Sequence, residues 1–262
     1  MPDQPERLST LHTLRRGVSD FKIAHRLVWD QKIWRMLVVP GLLSVLYWPA
    51  AFYLTYRGLH LATDFWIGRT ESRWLVITGV IVLGLILGGS MLAGAILLHR
   101  AFIMTVCAPI WGPVSELAER ALLGTTGPPL SIRQMARDIR RAIFVTTILV
   151  ALSAFIFIGC WVLTFVPIVQ VAAIVFLPFA QMFLAGAGFV DPVLERRKLS
   201  VRETFHYIWA HRWRMVGNGC GYTLLLLFPI VGWFLAPGYA VVAATVGAVR
   251  DEQPGETLPE LQ

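Results

Sequence analysis

Apolar residues along this chain run in long unbroken blocks, without the period-2 alternation that half-buried strands require. Residues 36–56, 74–98, 142–190 and 215–249 contain no Asp, Glu, Lys or Arg. One crossing of bilayer hydrocarbon needs roughly 20 residues as a helix. Within hydrocarbon every backbone N–H and C=O must be paired inside the protein, so uncharged blocks of this length are helices. Transmembrane β-strands would alternate and run to about 10 residues. The pattern predicts an all-α integral membrane protein. Its parts are a cytoplasmic amphipathic segment over 1–35, a single membrane domain over 36–249 and a disordered cytoplasmic tail over 250–262.

The first two blocks each suit one transmembrane helix, but the last two are too long for one crossing. In 215–249 two prolines, Pro229 and Pro237, flank a stretch that leaves arms of about 14 and 13 residues, roughly 20 Å each against about 30 Å of hydrocarbon. This predicts a re-entrant hairpin with tip FPIVGWFLAP at 228–237 and a returning helix that begins at Pro237. The free amides of Gly238, Tyr239 and Ala240 would then face a passing anion or water, and Pro229, Gly232, Pro237, Gly238 and Tyr239 are the candidate pore residues. The competing reading is two proline kinks in packed helices. Block 142–190, broken at Pro167 and again at Pro178, makes either two full spans or a deep hairpin. Its Gln170 and Gln181 are helix-to-helix hydrogen bonds or pore-lining groups. Gly84 and Gly88, with Ser90 and Gly94, form small-residue pairs that suit close helix packing in the second block, and Gly217 with Gly221 repeats the spacing.

Charge then orients the blocks. The chain is 56% hydrophobic and 15% charged, with a formal net charge of +7. Lys and Arg number seven before residue 36, three in 57–73, six in 99–141, six in 191–214 and one after 249. Positive loops stay inside, so both termini, 99–141 and 191–214 are expected in the cytoplasm and 57–73 outside. The third and fourth blocks must each return to the side they left. Cations spread among apolar blocks argue for membrane orientation and against nucleic acid. The basic N-terminal segment lacks the layout of a cleavable signal.

Outside the blocks, Leu11, Leu14, Val18, Phe21, His25 and Val28 make an apolar stripe with Arg15, Arg16, Lys22 and Arg26 off it, a helix for the lipid interface. Ser131 with Gln134, and Ser200 with Glu203, read as capping boxes. Asp191 is positioned to cap a helix or pair with Arg196 and Arg197. Cys107, Cys160 and Cys220 have no metal or disulfide spacing. There is no nucleotide, zinc or hydrolase motif, and His206 and His211 are not spaced as zinc ligands. No catalytic residue, metal site or cofactor is expected, and the chain is not read as an enzyme.

Four segments in order carry a resemblance: RLVWDQKIWRMLVVPGLL at 26–43, APIWGPVSELAERALLG at 108–124, Asp191-Pro192 with the basic residues that follow, and FPIVGWFLAPGYAVVAAT at 228–245. Together they resemble the CysZ sulfate permease family, whose fold is shared with the etoposide-induced autophagy membrane proteins. The resemblance implies two long transmembrane helices plus helical hairpins that partly enter the bilayer, a homo-oligomer in the bacterial inner membrane, and sulfate uptake for cysteine biosynthesis. It also implies an anion site at a Pro-Gly-(Leu/Ile)-Arg-Arg turn before the first span. The matching residues here are Gln31, Lys32, Ile33, Trp34 and Arg35, so proline, glycine and the first arginine are replaced. Lys32, Ile33, Trp34 and Arg35 remain the candidate anion-binding residues, with Lys32 and Arg35 as the charges. The functional expectation is a channel or permease for a small inorganic anion, sulfate or a relative. The alternative is a membrane scaffold of the same fold that transports nothing.

Overall fold

The computed structural model describes residues 10–124, 132–163 and 166–252, and within them all regular structure is helical. Helix α1 spans Thr10–Asp30, α2 Trp34–Ile67, α3 Arg73–Leu83 and α4 Gly89–Val106, with a π-helical turn over Gly84–Gly88 that makes α3 and α4 one continuous rod. Then follow α5 (Ala108–Leu123), α6 (Ile132–Leu163), α7 (Pro167–Arg196), α8 (Val201–Ala210), α9 (Arg212–Leu226) and α10 (Val231–Glu252). Five helical stretches among these residues are long and apolar enough to cross a membrane: Trp34–Ile67, Arg73–Val106, Ile143–Leu163, Val169–Arg196 and Val231–Glu252.

Several boundaries differ from the sequence expectation. Residues 57–67 continue α2 instead of forming a loop, because Arg57 does not disturb a helix that runs beyond the hydrocarbon. At 34 residues α2 is about 50 Å long, well over the ~30 Å of hydrocarbon. The third block makes two long helices, α6 and α7, joined near Pro167. Residues 250–252, expected in the tail, are the last turn of α10 and are held by ion pairs; the tail beyond them lies outside the described residues, as does the cap at Ser131.

In the last block α9 has only 15 residues and α10 has 22, about 22 and 33 Å. The turn between them is at 227–230, with Pro229 in it and Ile230 at φ 63°. α10 is the centre of the bundle: from Ala236 to Val249 every residue is buried. α9 lies between α1 and α7 at backbone contact. Cβ atoms on Gly217 and Gly221 would meet the Leu14 carbonyl oxygen at 2.3 Å and the Phe21 ring at 2.3 Å, so this pair does serve close packing, against α1. Gly84, Gly88 and Gly94 of the second block do not. A Cβ on Gly84 or Gly94 would meet nothing within 4 Å and one on Gly88 only Leu59 at 3.9 Å, so among the described residues these positions of α3 and α4 have no close helix against them.

Ion pairs gather the α5 helix, the N-terminal ends of α6 and α9, and the C-terminal ends of α7 and α10 at one end of the bundle. Asp191 pairs with Arg141 at 3.3 Å, Arg214 with Asp251 at 3.0 Å, Arg197 with Glu252 at 2.5 Å, Arg196 with Glu119, and Arg250 with Asp20 of α1. Asp191 thus pairs across helices and not with its near neighbours Arg196 and Arg197, which point to Glu119 of α5. Both long blocks return to the end they left. At that end Ser200 and Glu203 close a reciprocal cap on α8, as their spacing predicts.

Candidate functional site

The turn between α1 and α2 positions the residues matched to the anion motif. Lys32 is in the left-handed region at φ 56°, a conformation that favours glycine. The turn thus follows a backbone path that suits glycine although lysine occupies it. Ile33 is fully buried and anchors the turn, while Lys32, Trp34 and Arg35 are exposed. Trp34 stacks on Trp29 at 6.3 Å and lies under Arg35, whose guanidinium carbon is 5.8 Å from the ring centroid. Among the described residues the amides of Ile33 and Trp34 have no backbone acceptor, whereas those of Lys32 and Arg35 bond to Trp29 and Lys32 carbonyls at 3.2 Å each. Two cations and the unpaired amide of exposed Trp34 thus share one short turn, while the Ile33 amide is buried with its residue.

The hairpin residues are spread more widely than the sequence suggested. Pro229 is in the turn and Gly232 in the first turn of α10, with the backbone of Leu225 against it. Pro237, Gly238 and Tyr239 lie inside α10 and are buried, so the returning helix begins at Val231 and the amides of Gly238, Tyr239 and Ala240 are helix-interior amides, not free ones. A proline is tolerated there because an outside donor replaces its missing N–H. Pro237 leaves the Trp233 carbonyl without its partner four residues on, and the Ser44 hydroxyl of α2 donates to that oxygen. Tyr239 accepts from the Trp29 indole at 2.9 Å and meets His25 at 2.9 Å, tying α10 to α1 just before the anion-motif turn.

Ser44 starts a buried polar chain. With its one hydrogen committed to Trp233, its oxygen accepts from His99 Nε2 at 2.6 Å. That assigns a proton to Nε2, and Nδ1 meets the Tyr222 hydroxyl at 2.9 Å, from which it accepts in the neutral imidazole. Tyr47 and Trp48 flank the imidazole at 5.2 Å each, and Trp48 stacks on Trp233 at 5.1 Å. Beside His99, Arg100 is only 6% exposed and donates to Ser153 of α6 at 2.8 Å. Gln181 of α7 donates to the Ser153 carbonyl at 3.1 Å, a helix-to-helix bond. Gln170 is exposed near the start of α7 and takes no part.

The sequence pattern puts His99 and Arg100 at the start of a loop, because they end an uncharged block, whereas both lie within α4. The signal that would have found them is the apolar sequence AFIMTV immediately after, which carries α4 on through Val106. No group of three or more metal-ligating side chains occurs among the described residues.

A chain described as "Sulfate transporter CysZ" from Pseudomonas fluorescens strain SBW25 is 28% identical over 167 residues, 59% of this chain and 61% of that one. Another with the same description, from Pseudomonas fluorescens strain Pf0-1, is 26% identical over 157 residues, 56% of this chain and 58% of that one. The alignments therefore span about three fifths of these relatives. The family model described as "Sulfate transporter CysZ/Etoposide-induced protein 2.4" matches residues 20–237, from the middle of α1 through the Pro237 that Ser44 compensates, and the chain belongs to that family.

Proposed function

We propose that this protein is a channel or permease for a small inorganic anion, with sulfate, taken up for cysteine biosynthesis, as its substrate. The observation that carries this reading is the turn at Lys32 to Arg35, where two exposed cations and the unpaired amide of Trp34 meet at the entrance to α2. An oxyanion at such a turn gains N–H hydrogen bonds and opposite charge together. Family membership and the description of two relatives as sulfate transporters support the same substrate.

The membrane arrangement we infer has α2 and the α3–α4 rod as two full transmembrane spans, with α6–α7 and α9–α10 as hairpins from the charged end. The short α9 supports a re-entrant last hairpin, because about 22 Å stops short of the far side. Its tip, with Pro229 and Gly232, then lies along the conduction path, with Pro237, Gly238 and Tyr239 packed behind it. The excess of Lys and Arg at the charged end supports a cytoplasmic location for that end and for both termini, in the inner membrane of a bacterium. Open small-residue faces on α3 and α4 are compatible with a homo-oligomer. No catalytic step is assigned.

Purified protein in liposomes tests the function. Uptake of radiolabelled sulfate above that of empty vesicles is the expected result. The competing reading is a scaffold of the same fold, favoured by Trp34 where the family turn has arginine. Intact insertion with no uptake of sulfate, thiosulfate or selenate would select the scaffold.

A further inference from the structure

Arg100 lies about two turns inside the end of α4 and is almost fully buried among α4, α6 and α7. Guanidinium stays protonated in proteins and carries five N–H donors. One donor reaches the Ser153 hydroxyl at 2.8 Å. None of the ion pairs formed among the described residues includes Arg100. The contrast with the charged end is sharp, since every buried or half-buried arginine there, Arg141, Arg196, Arg197, Arg214 and Arg250, has a carboxylate. A cation within a membrane domain is costly and marks an ion pathway or a site when its head cannot reach water. Snorkelling would leave the residue well exposed, whereas Arg100 is only 6% exposed.

The guanidinium also borders space. A narrow cleft lined by Arg100, Met104, Thr146, Leu149 and Gly188 has room for about one water-sized particle. Gly188 leaves the α7 wall open, Thr146 adds a polar side chain, and Met104 and Leu149 are the groups whose rotation would widen the cleft.

We propose that Arg100, with Ser153, is an interior binding site for the conducted oxyanion, which serves as the counter-ion that the described residues do not supply. This rests on the anion-transport reading and adds to it a second station, inside the helix bundle among α4, α6 and α7. The guanidinium grips one or two oxygens of the anion, and Ser153, relieved of part of its bond to Arg100, turns its hydroxyl toward another.

Initial rates of radiolabelled sulfate uptake into proteoliposomes, measured over a range of sulfate concentrations with the full chain, test the assignment. Arg100→Gln is expected to raise the KM for sulfate at least tenfold, and Arg100→Lys, which keeps charge but loses the planar fork, at least threefold. Ser153→Ala, which removes the structural bond between α4 and α6, is expected to change KM less than Arg100→Gln. A purely structural role predicts instead lower yield and Vmax with unchanged KM in all three variants, and that outcome overturns the proposal. If Arg100→Gln elutes only as aggregate, Arg100→Lys decides by the same criterion. Absence of uptake by the unmodified protein overturns the transport reading and this site with it, whereas normal uptake with KM indifferent to Arg100 overturns the site alone.

Discussion

Gly219 of α9 sits so close to α7 that a Cβ placed on it would be 1.8 Å from the Met182 carbonyl oxygen. The reverse contact, Gly186 of α7 against the Met215 carbonyl at 2.0 Å, lies on the same interface. The obstacle at each is backbone, so accommodation requires the helices to separate. Gly219→Ala and Gly186→Ala are expected to lower the melting temperature in detergent by several degrees and to broaden elution. Gly84→Ala and Gly94→Ala have open space and gain helix propensity, about 0.5–1 kcal/mol each. They are expected to be neutral or stabilising, and equal loss at all four positions would contradict the packing described.

Lys32 holds a glycine-like φ of 56° at the anion-motif turn. A left-handed conformation costs an ordinary residue about 1–2 kcal/mol. Lys32→Gly is expected to raise stability by up to about 1 kcal/mol, partly offset by the freer unfolded chain, and Lys32→Val to lower it because a β-branched residue fits that region worst. Thermal melts of the two variants check the order. If the charge of Lys32 attracts the anion, the more stable glycine variant should also transport less sulfate at low concentration.

Asp20 of α1 is buried against Arg214, Arg250 and Asp251, and burial outweighs the two guanidinium groups, pushing its carboxyl up to about 6 from 3.8. In the unfolded chain this carboxyl loses its proton near 3.8, while in the folded chain it keeps it to about 6. Its contribution to stability is therefore full below the lower value and is lost as pH rises through the higher, a change of about 3 kcal/mol at 1.36 kcal/mol per pH unit. Asp20→Asn should remove this slope, so the difference in melting temperature between the two proteins should shift in favour of Asn between pH 4.5 and 7. A difference independent of pH would mean that Asp20 is ionised throughout.

Helix type, paired blocks and the return of blocks three and four to one end were legible because each follows from a local quantity, the length of an uncharged run or the number of cations beside it. The Ser200–Glu203 cap was legible for the same reason. What escaped needed a partner in space. Pro237 looked like a helix start because its missing N–H suits that place, and only the Ser44 hydroxyl explains why α10 runs through it. Arg100 looked like a loop cation because counting charges treats each as a boundary, whereas its neighbours Leu97, Ala101 and Met104 continue one helix. Gly84 and Gly94 had the spacing for packing and no neighbour to pack on.

The link between Ser44 and Pro237 makes the last prediction. Ser44→Ala leaves the Trp233 carbonyl and the His99 Nε2–H without partners in a buried place, and each unsatisfied group costs about 1–3 kcal/mol. Pro237→Ala restores a backbone N–H that bonds the Trp233 carbonyl within α10, so the two residues supply alternative donors to one oxygen. The loss on Ser44→Ala should therefore be smaller by about 1 kcal/mol or more in the Pro237→Ala background than in the native one, a coupling of the size seen for contacting groups. Melting curves of the two single variants and the double variant measure it. Additive losses would mean that Ser44 does not compensate the proline, and its contact with His99 alone would then account for its burial.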